Sequence, residues 1–176
     1  MNKIYLIAII FALPYLLTAQ VFWAAGYTES LDTTTNGQIL IHPMEDTVLI
    51  EPFDSPVQFE AAMAGAYDED GQIIFYTNGC HIYNRNHEIV AGGENLNPGE
   101  IHDMVCDEYG YIAPLGASVV HFRTHPHLYF LIHVGLQNTI AHSVSYGPLY
   151  LTRLEYDTES GEVAVLSNNE ILIEAE

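Results

Sequence analysis

AAMAGAYDEDGQIIFYTNGCHIYNRNHEIV, residues 61–90, alternates short apolar runs with turn chemistry. Ala61–Tyr67 and Gln72–Thr77 flank Asp68-Glu69-Asp70-Gly71, where acids and a glycine supply a turn that β-branched residues could not. Asn78-Gly79 separates Ile73–Thr77 from Cys80–Asn84. Asn-Gly between alternating runs is the strongest short-range hairpin signal, because a type I′ turn needs positive φ at both central positions. Asn84-Arg85-Asn86-His87 makes a third turn, and Glu88–Val90 offers a fourth short strand. The stretch predicts an antiparallel β-meander of up to four strands, the size of one propeller blade.

The pattern continues outward on both sides. Val21–Gly26, Gln38–His42 and Thr47–Phe53 read as strands before the meander, with a polar loop over Tyr27–Gly37. After it, residues 91–114 are irregular: Gly92-Gly93, Asn95, Asn97-Pro98-Gly99 and His102-Asp103 break every run. Gly116–Arg123, Leu128–Val134, Pro148–Tyr156 and Glu162–Ser167 then predict a second meander, its last hairpin turning at Asp157–Gly161. Asn168-Asn169 reads as a turn into a further strand, Glu170–Ala175. No amphipathic helix is expected after residue 20. The fold class is therefore all-β: successive antiparallel meanders over about residues 57–91 and 115–167, joined by the loop 91–114.

Met1–Gln20, MNKIYLIAIIFALPYLLTAQ, has a basic start, an apolar run from Ile4 to Leu17 and small residues at Thr18-Ala19. This is the pattern of a secretory signal peptide, residues 1–19, cut after Ala19, although Leu17 is bulky for its place before the cut. The apolar run is shorter than the roughly 20 residues that cross a bilayer, and Pro14 interrupts it. The expectation is a secreted, extracellular or cell-surface protein with no membrane insertion after cleavage.

Charge narrows the function. Four Lys and Arg face 23 Asp and Glu, giving a net charge of −19, and the only lysine, Lys3, lies in the leader. Such a chain repels nucleic acid and anionic membranes and lacks a lysine for Schiff-base chemistry. An acidic, solvated surface that keeps the protein soluble is the simplest reading. Cys80 and Cys106 are the only cysteines. Oxidising surroundings and the even count point to a disulfide that ties the irregular loop to the meander. Two buried thiols or a metal pair are the alternatives, and the absence of CxxC spacing makes a poor zinc signature.

The remaining chemistry weighs toward structure. His121, His125, His127, His133 and His142 invite a metal hypothesis, but strand histidines usually pack with one hydrogen bond, so no metal site is assigned. Asp68, Glu69 and Asp70 offer oxygens to Ca²⁺ without the spacing of a known calcium loop, so no cofactor is assigned and calcium stays open. Ser118, Ser143 and Ser145 lack a G-x-S-x-G elbow, and no phosphate-binding fingerprint is present. Tyr76, Tyr83, Tyr109, Tyr111, Tyr146 and Tyr150 are candidates for a glycan-stacking face, against the plainer reading that tyrosine is common in sheets. No catalytic residues are assigned.

The order Trp23, Gly26, Leu31-Asp32, Asp70-Gly71, Phe75–Cys80 (FYTNGC) and Gly93–Gly99 (GENLNPG) carries a resemblance. Cys106 before Gly110-Tyr111, Leu128–His133 (LYFLIH), and Leu149–Thr152 with its Gly-Glu-Val hairpin extend it. The chain resembles the N-terminal WD40-like β-propeller region of large secreted bacterial proteins that often end in a C-terminal sorting domain for type IX secretion. The resemblance implies that residues 20–176 are a partial propeller, the first blades of an incomplete ring and a fragment of a longer protein. It also supports the Cys80–Cys106 bridge, and it transfers no catalytic residues. The expected function is a non-enzymatic binding, adhesion or scaffold module whose partner is an unknown extracellular protein or glycan. The alternative is an extracellular hydrolase or lyase acting on polysaccharide.

Overall fold

The computed structural model describes residues 21–25, 38–43, 47–61, 63–68, 70–138 and 143–174. The expected signal peptide 1–19, the expected polar loop Tyr27–Gly37, Glu69 and His142 lie outside the described residues. Six strands form the first sheet: β1 (Val21–Ala25), β2 (Ile39–Pro43), β3 (Val48–Pro52), β4 (Ala64–Tyr67), β5 (Ile73–Thr77) and β6 (Ile82–Asn84). Their order is β3-β2-β1-β4-β5-β6, so β1 joins the early strands to the central meander. The second sheet is a plain meander of β7 (Ala117–His121), β8 (Leu128–Asn138), β9 (Val144–Tyr156) and β10 (Val163–Ile173). Every pairing among these strands is antiparallel, which makes the chain all-β as expected.

The two sheets share one core. Ala64, Ala66, Ile74, Phe75 and Ile82 of the first meet Ala117, Val119, Tyr129, Leu131 and Leu154 of the second. The small residues of β4 let the sheets approach, and Phe75 fills the gap edge-on against Tyr129 at 5.5 Å. A second cluster, with Phe53, Val57, Phe59 and Met63, covers Tyr76 and Tyr83 of the first sheet. The segment leading into β4 thus acts as a lid over that sheet.

Four local expectations are corrected. Glu88–Val90 is not a fourth strand; it makes only one bridge, Tyr83 with Ile89. Asn78-Gly79 is not a two-residue turn, because Thr77 pairs with Ile82 and four residues intervene. The Asn78 Oδ1 accepts the main-chain N–H of both Cys80 and His81, which widens the loop and swings Cys80 out of the ladder. Residues 91–114 contain a short helix, α1 (Glu100–Val105). Asn168-Asn169 is not a turn between two strands but an irregularity within β10, with register shifts between Val165 and Ser167 and between Ser167 and Glu170. Glu170–Ala175 is therefore the continuation of β10 as far as Ile173.

Candidate functional site

The irregular segment after β6 is tied at its far end to the connection between β5 and β6. Cys80 and Cys106 form a disulfide with 5.6 Å between their α-carbons, enclosing a separation of 26 residues. Cys80 is buried with Ile101, Tyr111 and Ala113, and Cys106 caps the C-terminus of α1. No side chain caps the other end of α1, where Gly99 sits at φ 142°. A six-residue helix is far below the length that stands alone, so the bridge and this small cluster hold it in place.

Between the cysteines, the loop is bonded to β10. Asn168 donates its amide to the carbonyls of Gly92 (2.9 Å) and Glu94 (3.0 Å), and Asn169 donates to that of Asn95 (2.9 Å). The Asn97 N–H donates back to Asn169 Oδ1 at 3.1 Å. These contacts need Asn95, Asn97 and Asn169 at positive φ, 54°, 55° and 54°, a conformation asparagine tolerates better than most residues.

His133 sits at the centre of this clamp and is 1% exposed. Its Nδ1 lies 2.7 Å from Asn97 Oδ1 and its Nε2 lies 3.0 Å from Thr152 Oγ1. Asn97 gives its amide hydrogens to the Gly79 carbonyl, so its oxygen faces the ring and the proton belongs on Nδ1. Thr152 also accepts from the Asn169 N–H and reaches Asn168 Oδ1 at 2.8 Å. Tyr150 stacks on the ring at 5.5 Å. Burial lowers the His133 pKa from its usual 6.5 to about 4, so the ring is neutral at pH 7.

The other sequence candidates disperse. His121 stacks on Tyr129 at 4.5 Å and bonds the Pro126 carbonyl, while His125 and His127 are exposed on the turn beyond. Among the described residues, no group of three or more His, Cys, Asp or Glu is placed to hold a metal ion. Asp68 Oδ1 accepts the N–H groups of Asp70 and Gln72, which is turn chemistry. Tyr76, Tyr83, Tyr111 and Tyr150 are core residues, and only Tyr109 and Tyr146 of the six are well exposed, so the tyrosines make no common face. Burial pushes Tyr76 up to about 12, with its hydroxyl bonded to Ser55 and His87.

The outward face of the second sheet is the other unusual surface. Val120 pairs with Phe130 and Ile132 with Leu151, all half-buried, and Phe122 packs edge-on against Phe130 at 5.7 Å. Toward β10 the same face turns polar, with Arg153 bonded to Ser167 (2.9 Å) and Glu170 (2.6 Å). Sequence reading places Asn97 in a run-breaking segment and Asn168-Asn169 in a turn, and assigns none of Asn97, Thr152, Asn168 and Asn169 to a site. The only signal for them is the Asn-Asn pair interrupting the apolar pattern of β10.

The chain matches no protein-family model, no curated protein and no solved structure.

Proposed function

We propose that this chain is a non-enzymatic binding or scaffold module of an exported protein, built of propeller-like sheets that stack face to face. The observation that carries the reading is the second sheet, which bears apolar side chains on both faces of β7 and β8, with Ser118 the polar residue of the outward face and His121 and His133 those of the inward one. Its inward face carries Val119, Tyr129 and Leu131, and its outward face carries Val120, Phe130 and Ile132. A sheet with one solvated face alternates apolar with polar residues, whereas one between two layers does not. The leader-like N-terminus and the disulfide support an oxidising, extracellular address. The histidine, threonine and asparagines of the clamp spend their hydrogen bonds on one another and on main chain, which favours a structural over a catalytic role.

The test pairs sedimentation and glycan-array binding of the mature chain with an Ile132→Asp variant and a polysaccharide-hydrolysis assay. The module reading predicts glycan binding or concentration-dependent association, weakened in the variant while its circular dichroism is retained. Release of new reducing ends or unsaturated sugars, lost on replacing a single carboxylate, would overturn it in favour of a hydrolase or lyase.

A further inference from the structure

The clamp on His133 joins three parts of the chain: Asn97 on the loop, Thr152 on β9 and, through Thr152, Asn168 and Asn169 on β10. On β7 its cross-strand partner is Ala117. The aromatic ring against it is Tyr150, and Glu94 reaches the clamp through its main-chain carbonyl. Burial lowers its pKa, and its two hydrogen-bond partners, Asn97 and Thr152, are uncharged. Burial and then the neighbouring His102 hold the His81 pKa below its usual value, against the carboxylates of Glu94 and Asp107; His81 accepts the Asn95 N–H at 3.3 Å and lies edge-to-face with His102 at 6.1 Å. Asp103 Oδ1 lies 3.4 Å from His102 Nδ1, while His102 Nε2 is buried without a hydrogen-bond partner. The loop therefore rests on imidazoles at both of its walls.

We propose that residues 92–98 form an acid-released flap, opened when His133 takes up a proton and kept tethered by the Cys80–Cys106 bond. In the closed, neutral state Thr152 has one hydroxyl hydrogen for two acceptors, His133 Nε2 and Asn168 Oδ1. A proton from solvent on Nε2 donates to Thr152 Oγ1 and frees its hydrogen for Asn168, so no hydrogen bond is lost. What is lost is neutrality: a cation now sits in a buried site between uncharged hydrogen-bond partners. Opening the flap returns the ring to water, where its affinity for the proton is ordinary. Below about pH 6.5 the opening equilibrium therefore grows about tenfold per pH unit until the closed form itself titrates. Leu96, fully buried in the closed form, is the apolar side chain that the open flap presents.

Native-state hydrogen exchange on the disulfide-intact mature protein tests this between pH 7 and 4.5, with rates corrected for intrinsic exchange. The reporters are the amides of Ile82, Leu96 and Asn97, bonded to Gly93 O, Cys80 O and Asn169 Oδ1. Phe75 and Leu131 report the core. The flap predicts that the three reporters lose about fortyfold in protection between pH 6.5 and 4.5 while staying well below the core amides at every pH, since they exchange through local opening rather than global unfolding. In His133→Gln that acid-dependent loss disappears. Should the variant fail to fold, histidine-ring NMR of the wild type replaces it, and the proposal requires the Nδ1–H form at pH 7 and an open state at pH 5 that carries a protonated His133. Flap amides as strongly protected as the core at every pH, flap protection unchanged to pH 4.5, or the same loss in His133→Gln would each overturn it.

Discussion

Removing the disulfide is the sharpest test of what holds the irregular segment. A bridge across a separation of 26 residues restricts the unfolded chain. The chain-entropy relation gives roughly 12 cal/mol/K, or about 3.5 kcal/mol at 25 °C, in favour of the folded state. Replacing both cysteines by alanine adds a smaller loss at Cys80, which is fully buried against Ile101 and Tyr111. The experiment is urea denaturation followed by far-ultraviolet circular dichroism. It compares the oxidised protein, the reduced protein and Cys80→Ala/Cys106→Ala. Both disrupted forms are expected to lose about 3–4 kcal/mol, with a steeper urea dependence because the uncrosslinked chain exposes more surface when unfolded. The loss should appear first in α1, which has no side-chain N-cap and takes its C-cap from Cys106. A loss below about 1 kcal/mol would refute the reasoning. It would mean that the asparagine clamp alone fixes the loop, or that the reduced unfolded chain is already compact there.

Other substitutions probe the same architecture. Thr152→Val keeps the shape but strands the Asn169 N–H and Asn168 Oδ1, so unfolding free energy should fall by about 2–3 kcal/mol in the same urea assay. Gly93→Ala sets a methyl group 2.8 Å from the Ile82 Cβ and 3.0 Å from the Val90 carbonyl. It should cost about 1–3 kcal/mol, measured as a lower thermal midpoint. Leu115 is 90% exposed at φ 53°, so Leu115→Gly relieves left-handed strain at almost no burial cost and should stabilise by up to about 1 kcal/mol. A destabilised Leu115→Gly variant would show that this side chain packs against something. For global stability, His133 has a folded-state pKa of about 4, below its unfolded value, so its contribution is full above about pH 6.5 and is lost as pH falls toward 4. Urea titrations from pH 7 to 4 should show a slope that His133→Gln reduces.

The strands were legible because their signal is local. LYFLIHV over Leu128–Val134 and PLYLTRLEY over Pro148–Tyr156 are both inside the strands that form, although each strand extends further. The errors fall where identical local chemistry serves two geometries. Asparagine favours turns and left-handed φ alike, so Asn168-Asn169 reads as a turn from its neighbours. Its partners decide otherwise, and one of them, Asn97, lies 72 residues away from Asn169 in sequence. Asn78 misleads in the same way, because its side chain takes two N–H groups that a tight turn would leave to the main chain. α1 was missed because six residues are too few to show a helical period. The cysteine pair was legible from its even count and the expected exported address, whereas the buried clamp on His133 was not, since no periodicity marks a hydrogen bond between distant strands.

The outward face of the second sheet limits where a further layer can sit. Phe130 and Ile132 lie on one side of β8, and Tyr129, Leu131 and His133 on the other. The outward row is apolar across β7 and β8 apart from Ser118 and meets charge at Arg153, whose partner Glu170 belongs to β10. A covering layer centred on β10 would have to desolvate that ion pair, which commonly costs more than the pair returns. A layer centred on β7 and β8 leaves it in water. Single charges separate the two faces. Leu131→Asp buries a carboxylate in the shared core and should unfold the chain, whereas Ile132→Asp places it on a half-exposed surface and should leave the isolated fold standing. If Ile132→Asp unfolds the chain as completely as Leu131→Asp, the outward row is already core, and no further layer is needed to explain its composition.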